Sequence, residues 1–189
     1  PTRALIVHYD GIDWRPYELG ETPPPYNFMG VWGTSSRNVY AFQASEIGWD
    51  LPWHWDGAQW KEHDAQVVYS DPNVWSTDIF SSRPQASGTS PDNIIVADFG
   101  GIVRYDGTQW IVMESGLAST CTADAAWALS NGDFLIGKSF CGIYRYRGDS
   151  STLELDVEDL EASVIFGGFW GFSDVDAFAV GYRWQAGMA

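Results

Sequence analysis

The sequence predicts an all-β fold, and three observations carry that prediction. One short phrase returns along the chain as His8-Tyr9-Asp10-Gly11-Ile12-Asp13-Trp14, His54-Trp55-Asp56-Gly57-Ala58-Gln59-Trp60 and Arg104-Tyr105-Asp106-Gly107-Thr108-Gln109-Trp110. A worn copy stands at Arg145-Tyr146-Arg147-Gly148. Asp-Gly between aromatic and apolar residues is a hairpin signal, because the turn needs positive φ, which Gly prefers and Asp tolerates. A second phrase joins two short apolar strands through a polar turn ending in Asn or Asp. It leads into Val39–Phe42, Ile94–Ala97, Phe134–Gly137 and Ala177–Gly181. Aromatic residues make up 16% of the 189, with 11 Trp, a bias toward strands that bury large faces.

The elements follow in order. With Asp10 and Gly11 as the two central residues of a type I′ turn, Tyr9 would face Ile12 and Val7 would face Trp14. The two phrases interleave into a unit of four strands, termed a, b, c and d. Strand a carries the Trp-Gly phrase, an Asx turn leads to b, and the aromatic strand c and the Trp strand d flank the Asp-Gly turn. The anchors Trp32, Trp75, Trp127 and Trp170 recur about every 40–50 residues, the period of β-propeller blades. The sequence enters mid-unit, with c and d at Ala4–Val7 and Trp14–Leu19, and its last strand is a b strand at Ala177–Gly181. Joining these halves predicts a single domain over residues 1–189. It is a propeller of four blades of four antiparallel strands, with a composite blade closed by the N- and C-terminal strands. Closure would remove open edges. A ring shared between two chains, or an arc of a larger propeller, has the same strand phase.

Two insertions break the period. Ala44–Leu51 carries Trp49 and Asp50, and Phe80–Thr89 is Ser-, Pro- and Gly-rich and reads as a loop. Loops lengthened on a rigid scaffold are where binding surfaces arise. The acidic run Asp156, Glu158, Asp159, Glu161 fits no calcium-loop spacing and reads as a solvated face.

These phrases resemble a bacterial β-propeller repeat of the form V-W-G-x-S-x-x-D-V-x-A-V-G, continued by H-Y-D-G-x-x-W. Val31–Phe42, His54–Trp60, Phe99–Trp110 and Phe169–Gly181 carry the likeness. The resemblance implies a propeller and an extracellular or cell-surface location, and it implies no chemistry. The third unit departs from it, with Arg147 in place of Asp and no Trp after Gly148, so its c–d turn is expected to be longer or remodelled. The similarity to Asp-box propellers is distant, because Asp and Gly are adjacent here.

Composition narrows function. A net charge of −15 repels phosphate backbones and anionic lipid, which argues against nucleic-acid partners. Apolar runs fall short of the about 18 residues of a membrane span, so no membrane insertion is expected. The three histidines are scattered and no CxxC occurs, so no metal site or cofactor is expected. GxSxG, HExxH and phosphate-loop motifs are lacking, and the expected protein is not an enzyme; a glycoside hydrolase would need two facing carboxylates. Cys121 and Cys141 fall at the d–a and b–c connections of one unit, on one face, where a disulfide is expected, two buried thiols being the alternative.

That face carries the candidate ligand-binding residues Trp49, Asp50, Trp53, Trp184, Tyr26, Phe99 and Phe140. Aromatic rings stack on the C–H faces of sugars while carboxylates bond their hydroxyls, so a lectin-like glycan-binding module is the sharper expectation. A protein–protein interaction or homo-oligomerisation platform uses the same residues.

Overall fold

The computed structural model describes residues 4–17, 19, 27–43, 51–71, 83–115, 117, 121–148, 150–156 and 163–184. Every regular element among them is a β-strand. The first hairpin, β1 (Val7–Tyr9) and β2 (Trp14–Pro16), is a sheet of its own. The first four-stranded antiparallel meander follows, made of β3 (Phe28–Ser35), β4 (Asn38–Gln43), β5 (Trp53–Trp55) and β6 (Trp60–Glu62). Next comes β7 (Gln66–Tyr69), then β8 (Gln85–Ser90), β9 (Asn93–Asp98), β10 (Gly101–Tyr105) and β11 (Gln109–Ser115). These four make the second meander, and β7 adds to it as a parallel fifth strand beyond β11. The third meander is β12 (Thr122–Ala128), β13 (Phe134–Ser139), β14 (Gly142–Arg147) and β15 (Ser150–Asp156). A hairpin of β16 (Ser163–Ser173) and β17 (Asp176–Trp184) comes last.

The sheets pack face to face, and strand alternation sets their cores. On β9, Ile94 and Val96 join Tyr40, Phe42, Tyr105 and Trp110 in the core between the first and second meanders. Ile95 and Ala97 point the other way, into a core with Ala123, Phe134, Ile136 and Tyr146 of the third. All four β9 side chains are fully buried, so the strand reads as an unbroken apolar run. Ala125 with Val164 and Phe166 seats β16 on the third meander. Gly137 permits that approach, since a Cβ there would lie 2.9 Å from the Phe166 ring.

Four expectations change. The Asp-Gly turns span four residues: Tyr9 lies opposite Trp14, Trp55 opposite Trp60 and Tyr105 opposite Trp110. Asp is the first turn residue, its carboxylate accepting from the N–H groups two and three positions on. Only the Gly takes positive φ, at 97°, 95° and 94° for Gly11, Gly57 and Gly107. Second, strand a of the second unit is β8, within the stretch expected to be a loop. Ser87 therefore stands where the other units place Trp; Trp75 lies outside the described residues. Third, the c–d turn of the third unit is shorter than its siblings, since Arg147 already pairs with Ser150. Without the Asp carboxylate there is nothing to cap a four-residue turn. Fourth, β1–β2 and β16–β17 are two separate sheets, and no ladder joins them. Each packs on its own neighbour instead, β16 on β12 and β13, and β1 beside β3.

Candidate functional site: the cleft between the inner strands

The first strand of every unit faces a common cleft. Its walls come from β3, β8, β12 and β16, through Trp32, Gln85, Ser87, Trp127, Gly168 and Phe169, around a cavity of about 360 Å³. Asx and Ser/Thr turns hold the strands in place. Thr34 Oγ1 accepts from Asn38 Nδ2 at 2.8 Å, and Thr89 Oγ1 from Asn93 Nδ2 at 2.9 Å. Ser130, in the turn of the third meander, donates to Asp174 of the last hairpin through its backbone N–H at 2.6 Å and through its hydroxyl. That pairing holds the Asp174 carboxyl below its ordinary range.

Trp32 reaches the cleft because Gly88 has no side chain. A Cβ on Gly88 would fall 2.6 Å from the six-membered ring of Trp32 and 2.7 Å from the Asn93 carbonyl oxygen. Ser87, in the place of a fourth Trp, accepts from the Ala128 N–H at 3.0 Å and ties β8 to β12. Trp32, Trp127 and Phe169 are each half-buried. The cleft thus offers aromatic surface beside the exposed Gln85 amide, an apolar-and-amide arrangement with no charged group among its named walls. In the sequence Trp32 and Trp127 stand out only as anchors of the repeat. The signal available was Ser87 in the place of Trp; Gly88 keeps the Gly of the Trp-Gly phrase, as Gly33 and Gly171 do.

Of the residues expected to form the site, Phe99, Phe140, Trp53 and Trp184 lie among the described residues. Phe99 is exposed at the β9–β10 turn, and Phe140 occupies the β13–β14 turn with φ 66°. A bulky residue in that region is strained; Phe140 is held there by its N–H, which donates to the Val164 carbonyl at 2.8 Å. Trp53 lies on β5, half-buried against the edge of Phe28 at 6.2 Å. No ring contact joins Phe99, Phe140 and Trp53 among the described residues. Trp184 is the last residue of β17. Tyr26, Trp49 and Asp50 lie outside the described residues. Cys121 and Cys141 do form a disulfide, with Cα atoms 5.4 Å apart.

Two buried polar clusters serve the interfaces between sheets. His63 Nδ1 accepts from the indole N–H of fully buried Trp110 at 3.0 Å, within a box completed by Tyr40, Tyr105 and His54. Burial, with the adjacent His54 second, lowers the His63 pKa to about 4. Burial likewise raises the Tyr40 hydroxyl. In the second cluster Lys138 Nζ pairs with Glu114 at 2.5 Å and lies over the Tyr144 ring at 4.7 Å, while the Tyr146 hydroxyl donates to Glu114. Among the described residues no group of three or more His, Cys, Asp or Glu is placed to hold a metal ion.

No protein-family model and no curated protein matches the chain. Its fold does recur in solved structures. One is the extracellular domain of BT4673 from B. thetaiotaomicron, described as a hybrid two-component system, at TM-score 0.60 and 12% identity. A second structure of that extracellular domain, described as a one-component system, gives TM-score 0.63 and 13% identity. The matches cover 91% and 94% of this chain but only 22% and 24% of the larger one.

Proposed function

We propose that the three meanders are blades of an extracellular β-propeller and that the chain is a non-enzymatic glycan-binding module. The observation that carries the reading is the cleft of about 360 Å³ between the inner strands. It lies within the size range of small-ligand sites, about 300–1,000 Å³, where apolar walls with a few polar groups are the usual lining. Trp32 and Trp127 supply flat surfaces for the C–H face of a sugar ring, and the Gln85 amide can both donate to and accept from its hydroxyls. The placement outside the cell draws support from the disulfide and from the extracellular neighbours.

A glycan array followed by calorimetry on the retained sugar tests this. Trp127→Ala should reduce affinity at least about tenfold, the worth of one aromatic contact at 1.4 kcal/mol per decade. Phe99→Ala, outside the cleft, should leave it unchanged. Near-UV circular dichroism confirms that Trp127→Ala retains its packing. If no glycan is retained, or the folded Trp127→Ala binds as well as the parent, the glycan reading fails.

A further inference from the structure

The side chains of the cleft offer more unused donors than acceptors. Ser87 is only 9% exposed, and its Oγ accepts from the Ala128 N–H between two of the cleft walls. A hydroxyl carries one proton and two lone pairs, so that bond leaves the Ser87 proton to donate. No acceptor takes it among the described residues. The indole N–H groups of Trp32 and Trp127 also have no acceptor among those residues. By contrast, Trp55 donates to the Ser36 carbonyl and Trp110 to His63, each at 3.0 Å. The Gln85 amide supplies the one side-chain carbonyl among the lining residues, while Ala126, Ala128 and Gly168 bring no polar side-chain atom.

A ligand that satisfies these groups brings acceptors and few protons of its own. A plain hexose brings a proton with every hydroxyl, and burying those on walls with few side-chain acceptors is costly. A carboxylate brings acceptors, but it meets no cation on the walls and approaches a chain of net charge −15. An acetamido group meets both constraints, being uncharged, with two carbonyl lone pairs and an apolar methyl. We infer that the cleft selects a neutral N-acetylated sugar, its acetamido carbonyl accepting from Ser87 Oγ and its methyl lying against Ala126 and Ala128. The Gln85 carbonyl, two residues away on the same face of β8, takes the acetamido N–H. This specificity rests on the glycan reading of the cleft and adds to it the class of sugar and the residue that selects it.

Calorimetric titration of the full chain tests it with matched pairs: N-acetylglucosamine with glucose, and N-acetylgalactosamine with galactose. Glucuronic and N-acetylneuraminic acids are the charged controls. Within a pair the acetamido sugar should bind at least about tenfold more tightly, as when a buried hydrogen-bonding group gains its partner. Neither acid should bind more tightly than the neutral acetamido sugar. In Ser87→Ala the ratio within a pair should fall to about twofold or less, and because both sugars meet the same variant the ratio cancels any general loss of packing. Equal binding within a pair, in a parent whose affinity Trp127→Ala still lowers, overturns the inference and leaves the glycan reading standing. So does a ratio that folded Ser87→Ala leaves unchanged, or tighter binding of either acid. A chain that binds none of the four neutral sugars also overturns it, and the glycan reading falls with it only if the array retains no other glycan.

Discussion

Protonating His63 should unlock the interface between the first and second meanders. Its Nδ1 accepts the indole proton of Trp110, which is fully buried, so the neutral ring carries its own proton on Nε2. A second proton would turn that acceptor into a donor facing another donor. The folded-state pKa of about 4 lies below the ordinary 6.5. Stability from this group is therefore fully present above pH 6.5 and is lost as pH falls through that value toward 4. A difference of that size is worth about 3 kcal/mol at 1.36 kcal/mol per unit, and partial solvent access cuts it to about 1–2 kcal/mol. His54 shifts in the same direction, again chiefly through burial, with Asp56 opposing.

The assay is urea unfolding of the parent and of His63→Gln at pH 7 and pH 4.5. Gln can still accept from the indole and does not titrate. The parent should lose about 1–2 kcal/mol more than the variant between the two conditions, a midpoint difference of about 0.5 M urea. Lowered carboxylates such as Asp10, Asp56 and Asp106 also lose stability as pH falls through the acid range, but they do so in both proteins and cancel. Parallel losses in parent and variant would refute the argument.

Other consequences are separable from this one. Trp110→Ala should cost about 3–5 kcal/mol in a chemical melt, because a fully buried ring leaves a cavity between two sheets. Gly88→Ala should cost about 1–3 kcal/mol and perturb Trp fluorescence, since the new Cβ meets both the Trp32 ring and the Asn93 carbonyl. Gly132→Ala, where nothing lies within 4 Å, should cost less despite a positive φ, and thermal melts of the two would rank them. Reducing the Cys121–Cys141 bridge, whose partners are 20 residues apart, should lower stability by about 3 kcal/mol on the chain-entropy estimate. Its measure is the urea midpoint with and without reductant.

Most of the strand order was legible because the phrases mark both turn chemistry and apolar alternation at once. Val39–Phe42, Ile94–Ala97 and Phe134–Gly137 are strands where the repeat put them. The bridge between Cys121 and Cys141 was legible as one of two outcomes, since strand phase put both on one face. What stayed hidden has physical causes. Strand β8 reads Gln-Ala-Ser-Gly-Thr-Ser and offers no apolar signal, because its neighbour Trp32 supplies the bulk that its own side chains lack. Strand β7 joins as a parallel fifth strand through a long-range pairing with β11 that no local pattern announces. The turn register was missed because Asp-Gly alone does not say whether Asp sits inside the turn or caps it with its carboxylate.

The candidate site was less legible, and the reason is instructive. Trp49, Trp184 and the loop aromatics lie outside the repeat and stand out in the sequence, whereas Trp32 and Trp127 lie within it and do not. Where a repeat brings its first strands around one cleft, repeated residues such as Trp32 and Trp127 line it and look like packing positions. The distinguishing mark is the copy that breaks the pattern: Ser87 stands on the cleft wall in the place of a fourth Trp, while Gly88 keeps the repeat's Gly and lies against the Trp32 ring. The same logic governs the residue ahead of the aromatic on strand c. His8, His54, Arg104 and Arg145 hold that position, and three of them reach an Asx partner across the sheet. The tolerated set is therefore the set that can donate to an Asx oxygen. On that account Arg104→Leu should weaken the β9–β10 pairing, whereas Arg104→His should preserve it. Hydrogen exchange of the β9 and β10 amides reads the difference, and equal exchange in the two variants would show that the position carries no cross-strand bond of consequence.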